Sequence, residues 1–577
     1  MPKIEMYRDA LFGYIGRTMP ESELEGWLEA AKGEIDESAD ADGVMKIELN
    51  DTNRPDLWST AGLGRQLRVY LGGPAPRYDF FSRAGVVRDA GGRRVVVDPE
   101  LEHVRPYIAA FAVTGKPLDD ASLKDLIQSQ EKLCTNFGRR RKSIAMGVYR
   151  TGLMTFPVRY QAVDPVATKF TPLGMERPLN LHQIIAEHPK GIEYGPIVAD
   201  FAKMPFLTDT NGEVLSFPPV INSARVGAVE EGDQDLFVEL TGTDLESLLL
   251  ACAIVACDLA DAGHTVLPVA VEYPYDTPLG RTVVCPYAFQ QPLVAELPAI
   301  AKILGEPITA DSAITSLARM GVSATASSDG RSIDVQPPEY RNDYLHQVDV
   351  AEDVIIGRGM KTFAPEMPAD FTVGRLSESE RFGRTVIGTL VGMGYLEMIF
   401  PYLGSGRDFI EKLRPVPIGE PWEGIDQRPV KLANPMSESY EYVRNSSLPF
   451  LLGAESVSAH AAYPHRIFEV GKIARFDDAD NHGVRTVDAL CFVAADADAG
   501  FTSISGDLSV LFYYLSREYR VEESDDPRFI PGRAARVHVG DTVVGVVGEL
   551  HPQVLENFGI TVPVTCCDLD LNAILAG

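Results

Sequence analysis

The longest uninterrupted apolar run in the chain is Leu248 to Cys257, ten residues of Leu, Ala, Cys, Ile and Val. A helix needs about 20 such residues to cross a bilayer, so a run half that length reads as a helix buried inside a folded domain. No membrane span is expected. At roughly 100 to 200 residues per domain, the 577 residues make about three to five folded units. Apolar residues at 45% and charged residues at 23% are globular proportions, which exclude a disordered, collagen-like or disulfide-dense chain.

Acidic residues outnumber basic ones by 82 to 53, a formal charge of −29. Such a chain cannot as a whole wrap the phosphates of a nucleic acid, so any contact of that kind must be local. The opening stretch from Met1 to Tyr7 has no apolar core and carries Glu5, so no secretory leader is expected and the protein should stay in the cytoplasm. Seven cysteines (Cys134, Cys252, Cys257, Cys285, Cys491, Cys566, Cys567) include no C-x-x-C pair. That spacing argues against a zinc cluster or a thioredoxin-like motif and for reduced, mostly buried thiols.

The patterning divides the chain into four parts of α/β and α+β character. Residues 1–95 form a small mixed α/β domain, with a helical segment Glu21 to Glu37 (Leu24, Trp27, Leu28 and Ala31 in step), a strand Met45 to Leu49, and a helix through Leu63, Leu67 and Tyr70. Residues 96–275 alternate helices with short strands, among them Pro196 to Ala199 and Leu236 to Leu240, which implies an α/β domain. Residues 276–365 are a small helical and strand module: helices Ala295 to Leu304 and Ala310 to Met320, then a strand Ser332 to Val335. Residues 366–577 alternate strands (Arg466 to Val470, Ala489 to Val493, Thr542 to Val547) with helices.

Two constellations could carry chemistry. From Pro338 to Ile355, Leu345, Val348, Ala351 and Ile355 form a helical apolar stripe, with Asp349, Glu352 and Asp353 in one arc beside it and Asp343 at the helix entrance. Like charges at neighbouring helical positions repel, so the cluster wants a cation, and hard carboxylate oxygens suit magnesium. From spacing alone a solvated acidic face stays open beside the metal reading, and is the more favoured of the two. In the second constellation, Glu239 and Thr241 stand two apart on a strand and so share a face, which with Ser216 and Asn222 would floor a polar pocket. A buried carboxylate there would accept a hydrogen bond from a ligand hydroxyl and be left unpaired by an analogue without one; a half-exposed strand ending in a capping turn is the alternative. The basic run Arg139 to Lys142 follows a helical pattern and reads equally as a phosphate contact or a solvated helix end. No phosphate loop, H-E-x-x-H or G-x-S-x-G motif occurs.

Taken together and in order, several stretches resemble one family, the β subunit of phenylalanyl-tRNA synthetase in its archaeal and eukaryotic form. Asn53-Arg54-Pro55-Asp56-Leu57 resembles its N-R-P-D-L signature; Ser216 to Asn222 and Glu239 to Asp244 resemble its editing domain; and Pro338 to Asp353 resembles its small metal-carrying module. Asn434 to Ser437, Arg444 to Pro449, Phe468 to Gly471 and Gly548 to Pro552 resemble its catalytic-like domain.

The resemblance implies a class II synthetase-like antiparallel-sheet domain at the C-terminal end that lacks the catalytic signatures, since Arg466-Ile467-Phe468-Glu469 echoes the second signature only in part. It implies an α2β2 heterotetramer in which the α subunit binds ATP and charges tRNA(Phe) while this chain edits. It places Leu207, Ser216, Asn222, Glu239 and Thr241 in the lining of an editing pocket that hydrolyses Tyr-tRNA(Phe), with Glu239 reading the tyrosine hydroxyl rather than acting as a base. It makes Asp343, Asp349, Glu352 and Asp353 the ligands of Mg2+. The acidic balance then implies that α supplies much of the phosphate contact, or that the source cytoplasm is salty. A free-standing trans-editing hydrolase and a non-catalytic assembly scaffold are the competing expectations.

Overall fold

The structure, a computed structural model, describes residues 2–422 and 428–577. Met1, the first residue of the stretch weighed above as a leader, lies outside them. The chain divides after Glu366 into two compact units.

The first unit opens with an antiparallel sheet of β1 (Lys3–Tyr7), β2 (Gly33–Glu37) and β3 (Val44–Leu49), in the order β1-β3-β2. The single helix expected from Glu21 to Glu37 does not form. The helix covers Glu21–Leu28, a 3-10 turn follows, and Lys32 at φ 52° swings the chain into β2. There Gly33 and Ile35 pair with Leu49 and Ile47 of β3, so strand pairing outweighs the helical spacing. Helix α1 (Thr60–Tyr70) begins at Ser59, whose hydroxyl accepts from the Gly62 N–H and satisfies one of the free amides of the first turn.

A ten-stranded mixed sheet forms the centre of this unit. Its strands are β4 (Arg94–Val97), β5 (Tyr107–Thr114), β6 (Ile144–Arg150), β7 (Val158–Val163), β8 (Met204–Thr208), β9 (Val214–Phe217), β10 (Ile221–Asn222), β11 (Leu236–Gly242), β12 (Thr265–Glu272) and β13 (Thr282–Cys285). Their order is β10-β9-β8-β7-β4-β12-β5-β11-β6, with β13 also paired to β12, so the sheet overruns the 96–275 segment at both ends. The expected strand Pro196 to Ala199 is instead a 3-10 turn at Gly195–Ile197, where proline has no N–H to give a ladder. The apolar run lies in α2 (Leu245–Asp261), with every residue from Leu248 to Cys257 buried. Packing of the helix against β5, β11 and β12 together with α1 explains why the run from Leu248 to Cys257 is apolar on every side.

A three-stranded sheet, β14 (Leu293–Glu296), β15 (Ser323–Ala326) and β16 (Ser332–Gln336), follows in the order β14-β16-β15, with helices α3 (Ala310–Arg319) and α4 (Gln347–Arg358) packed together. The stripe expected on α4 is displaced. Leu345 precedes the helix and is 85% exposed, and Val348 is 47% exposed; the buried side is Val350, Ala351, Asp353, Val354 and Gly357. Close approach of the helix pair sets this rotation, because a Cβ on Gly357 would stand 2.0 Å from the Ser316 carbonyl oxygen.

The second unit is a seven-stranded sheet of β17 (Leu396–Glu397), β18 (His465–Phe476), β19 (Val484–Ala495), β20 (Arg520–Glu523), β21 (Phe529–Val539), β22 (Thr542–Leu550) and β23 (Val564–Asp570). The order is β17-β18-β19-β23-β22-β21-β20, antiparallel except for β17 on β18. Alternation along β19 sends Phe492 into a core shared with Leu390, Leu508 and Ile574, and Val493 into one shared with Leu451, Leu452 and Val554. Arg444, fully buried, donates to both Glu469 oxygens (2.9 and 2.8 Å), which joins two of the motifs quoted above into one ion pair. All seven cysteines are buried free thiols. Among the described residues no helix is long and apolar enough to cross a membrane.

Replacing Gly357 by Ala should lower the stability of the first unit by about 1–3 kcal/mol, because the added methyl meets backbone. Thermal unfolding of the variant measures this; an unchanged midpoint would mean that α3 and α4 separate freely.

Candidate functional site

Strand β11 is buried on both faces and lies between β5 and β6, with Glu239 opposite Ala110 and Gly147. The glycine is required there: a Cβ on it would stand 2.0 Å from the Tyr149 hydroxyl and 2.6 Å from Glu239 Oε1. Tyr149, two residues along β6 on the same face, uses that space. Its hydroxyl lies 2.8 Å from Glu239 Oε1 and 2.8 Å from Ser216 Oγ on β9. Since a phenol has one proton, Tyr149 donates to the Glu239 carboxylate and accepts from Ser216. Strands β6 and β9 stand near opposite ends of the sheet order, so this bond records how far the sheet curls.

Glu239 is 3% exposed, and its Oε2 is buried without a hydrogen-bond partner. Burial pushes its carboxyl up to about 7, against the opposing pull of the Tyr149 hydrogen bond and the Arg105 charge. Arg105 is itself buried, which lowers its pKa. It donates through Nε to Thr241 Oγ1 (3.0 Å), to the Thr241 carbonyl (2.5 Å) and to the Lys142 carbonyl (3.0 Å).

The five residues expected in the pocket are therefore only partly gathered. Glu239 and Ser216 meet through Tyr149. Leu207 is buried and stands opposite Ser216 in register, as does Asn222 on the other side. Asn222 lines an adjoining cavity of about 330 Å³ with Met146, Val148 and Ile221. Thr241 shares the face of Glu239, but its hydroxyl is held by Arg105. Tyr149 and Arg105 carry the arrangement and are invisible to sequence reasoning, because their partners lie 37 to 136 residues away. The available signal is Gly147, an isolated glycine inside a strand pattern, which marks a close approach.

The four carboxylates of the α4 region are also divided. Asp343 accepts two bonds from Arg341 (2.9 and 2.6 Å), and Asp353 a third (2.6 Å). Although burial pushes it up, the Arg341 charge holds the Asp343 carboxyl down to about 2. Asp349 accepts from the backbone N–H groups of Leu345 (2.8 Å) and His346 (2.7 Å) as part of a capping box. Exposed Glu352 pairs with Lys32 at 2.6 Å. Glu352 and Asp353 thus leave the helix on different sides, one to solvent and one to the interior. Among the described residues no group of three or more His, Cys, Asp or Glu side chains is poised to hold a metal ion. The donor set is nevertheless entirely hard oxygen, which is the chemistry magnesium takes.

Comparison with known proteins bears on both regions. Residues 294–360 match the tRNA synthetase B5 domain, and residues 364–571 match the phenylalanyl tRNA synthetase beta chain CLM domain. The phenylalanine–tRNA ligase β subunit of Borrelia hermsii (strain HS1 / DAH) is 44% identical over 100% of both chains, and that of Borrelia turicatae (strain 91E135) 45% identical over 99% of both. A crystal structure of an N-terminal fragment of the phenylalanyl-tRNA synthetase β subunit from Pyrococcus horikoshii aligns with a TM-score of 0.57 at 33% identity, covering 62% of this chain and 100% of the fragment. The fold is therefore that of a multidomain aminoacyl-tRNA synthetase subunit. The chain belongs to the family of phenylalanine–tRNA ligase β subunits.

Glu239 keeps its proton in the folded protein up to about pH 7, whereas its ordinary value is 4.5. Its stabilising contribution is thus complete in acid, below the ordinary value, and is lost as the pH rises through 7, because the unfolded chain then binds fewer protons than the folded one. Glu239→Gln cannot ionise, so its melting temperature relative to the natural protein should rise between about pH 5 and 8. Parallel melting curves would refute the buried proton.

Proposed function

We propose that this chain is the editing and assembly half of a phenylalanine–tRNA ligase. In this reading it pairs with an α subunit as an α2β2 heterotetramer in the cytoplasm, supports ATP-dependent charging of tRNA(Phe) at the α subunit, and hydrolyses Tyr-tRNA(Phe) itself. The observation that carries the editing half is the unpartnered Oε2 of Glu239, buried beside Tyr149 and Ser216. A tyrosyl phenol donating to that oxygen would satisfy it, whereas a phenylalanyl ring would leave it unpaired, and sites built to bond a hydroxyl discriminate far better than apolar ones. Glu239 is thus a specificity residue; water activation falls to another group. The domain plan is that of the archaeal and eukaryotic form, a reading supported by the full-length match of the Pyrococcus horikoshii fragment, while the curated relatives named above are bacterial.

The proposal includes magnesium at Asp343, Asp349, Glu352 and Asp353. The ion would supply positive charge to carboxylates that Arg341, Lys32 and two backbone amides neutralise in part. It is supported by the resemblance and the all-oxygen donor set, while the four side chains as they stand do not meet around one point, so binding requires Glu352 and Asp349 to leave their present partners.

Two measurements test these readings. Glu239→Ala should reduce the ratio of kcat/KM for deacylation of Tyr-tRNA(Phe) over Phe-tRNA(Phe) by at least about tenfold; an unaltered ratio removes Glu239 from recognition. Magnesium should raise the melting temperature of the natural chain over that in chelator, and Glu352→Gln should shrink the rise. A melting temperature indifferent to magnesium would eliminate the metal.

A further inference from the structure

The basic run Arg139 to Lys142 has a conformation its sequence does not suggest. Arg139, Arg140 and Arg141 all take left-handed backbone angles, with φ of 51°, 53° and 63°. Side chains bearing a Cβ rarely adopt this region singly, and three in a row persist only where the surroundings impose them. Here the Arg140 and Arg141 amides donate back to Thr135 and Cys134 (2.9 and 2.8 Å). The turn is then fastened to both halves of the candidate pocket. The Arg141 guanidinium donates to the Pro219 and Val220 carbonyls (3.1 and 3.0 Å), in the turn between Ser216 and Asn222, and lies 4.2 Å over the Tyr194 ring. On the other side the Lys142 carbonyl receives Arg105, which in turn holds Thr241.

Fastened this way, the turn leaves Arg139, Arg140 and Lys142 exposed at the pocket's edge. Three exposed cations thus lie within four residues on a turn held at both ends, in a chain of net charge −29. Beside them Arg139 borders a cavity of about 680 Å³, lined also by Phe137, Ser143 and Thr243, and by Trp58, whose buried indole N–H has no hydrogen-bond partner. That volume falls in the range that holds a nucleotide-sized ligand.

We infer that Arg139, Arg140 and Lys142 are positioning residues that grip phosphates of the single-stranded 3′ end of a tRNA and lead it to the Glu239 pocket. This rests on the editing reading for its destination, although the grip itself is a matter of charge and geometry. It also answers how so acidic a chain handles a polyanion: the grip is confined to one rigid turn.

The experiment compares the full-length natural chain with the double variant Arg139→Glu/Arg140→Glu, and with the milder pair Arg139→Gln/Arg140→Gln should the first fail to fold. Anisotropy of fluorescent tRNA(Phe) is read against NaCl concentration, with a second tRNA lacking its single-stranded 3′ end. Affinity should fall about tenfold, and the slope of log affinity against log salt should shrink by roughly 0.7 for each single-strand phosphate that the variant turn no longer neutralises. The natural chain should likewise bind the shortened tRNA more weakly. Equal affinity and slope for both proteins, or indifference to the 3′ end, would each overturn the inference. Deacylation of Tyr-tRNA(Phe) by the same preparations separates the two proposals. If the natural chain hydrolyses it and the variant shows an unchanged KM, the grip is refuted and the pocket stands; if neither hydrolyses it but tRNA binding is weakened as expected, the grip stands and the pocket falls.

Discussion

The curl of the ten-stranded sheet is the constraint on which the candidate site depends. A flat sheet would hold β6 and β9 many strands apart. Twist accumulated from strand to strand brings them within reach of one tyrosine hydroxyl, and Tyr149 then bonds Ser216 and Glu239 together. The glycine at position 147, the buried leucine at 207 and the carboxylate at 239 make sense only in that closed geometry. A carboxylate sealed in this way loses its hydration, which is why Glu239 titrates near neutrality and why one of its oxygens is available to a hydroxyl donor.

Buried arginines govern the rest of the first unit. Arg65 joins α1 to Asp258 (3.2 Å) and Asp261 (2.7 Å) on α2, and lies 4.3 Å over Tyr340. Arg54 pairs with Asp56 inside the N-R-P-D-L stretch (2.8 Å) and Arg341 with Asp343 and Asp353. A charge removed from water needs an opposite charge and filled hydrogen bonds, and the planar guanidinium meets both demands for two carboxylates at once. Several of the chain's carboxylates therefore serve as counterions in the interior.

Much of this is legible in the linear sequence, unevenly. The helix at Leu248, the strand carrying Glu239 and Thr241, and the acidic helix after Asp343 are evident from periodicity, because each is a local property. The stripe on α4 differs from its sequence pattern by about one position, since Gly357 decides which side faces α3 and a glycine adds nothing to an apolar pattern. Helical spacing continues past Leu28 through Ala31, yet pairing with β3 decides the fate of the segment that follows.

What the sequence determined by itself is the inventory: a short apolar run that must be a core helix, paired polar residues on one strand face, three carboxylates at helical spacing with a fourth at the helix entrance, and an ordered set of motifs that leads to one family. These depend on covalent order and on the periods of helix and strand. What the tertiary structure alone decided is which of those residues meet. Tyr149 and Arg105 join the pocket, Thr241 is withdrawn into a bond with Arg105, and Glu352 and Asp353 part company on one helix. Meetings between residues 67 to 136 positions apart obey the curl of the sheet and the desolvation of charge, neither of which a local pattern records.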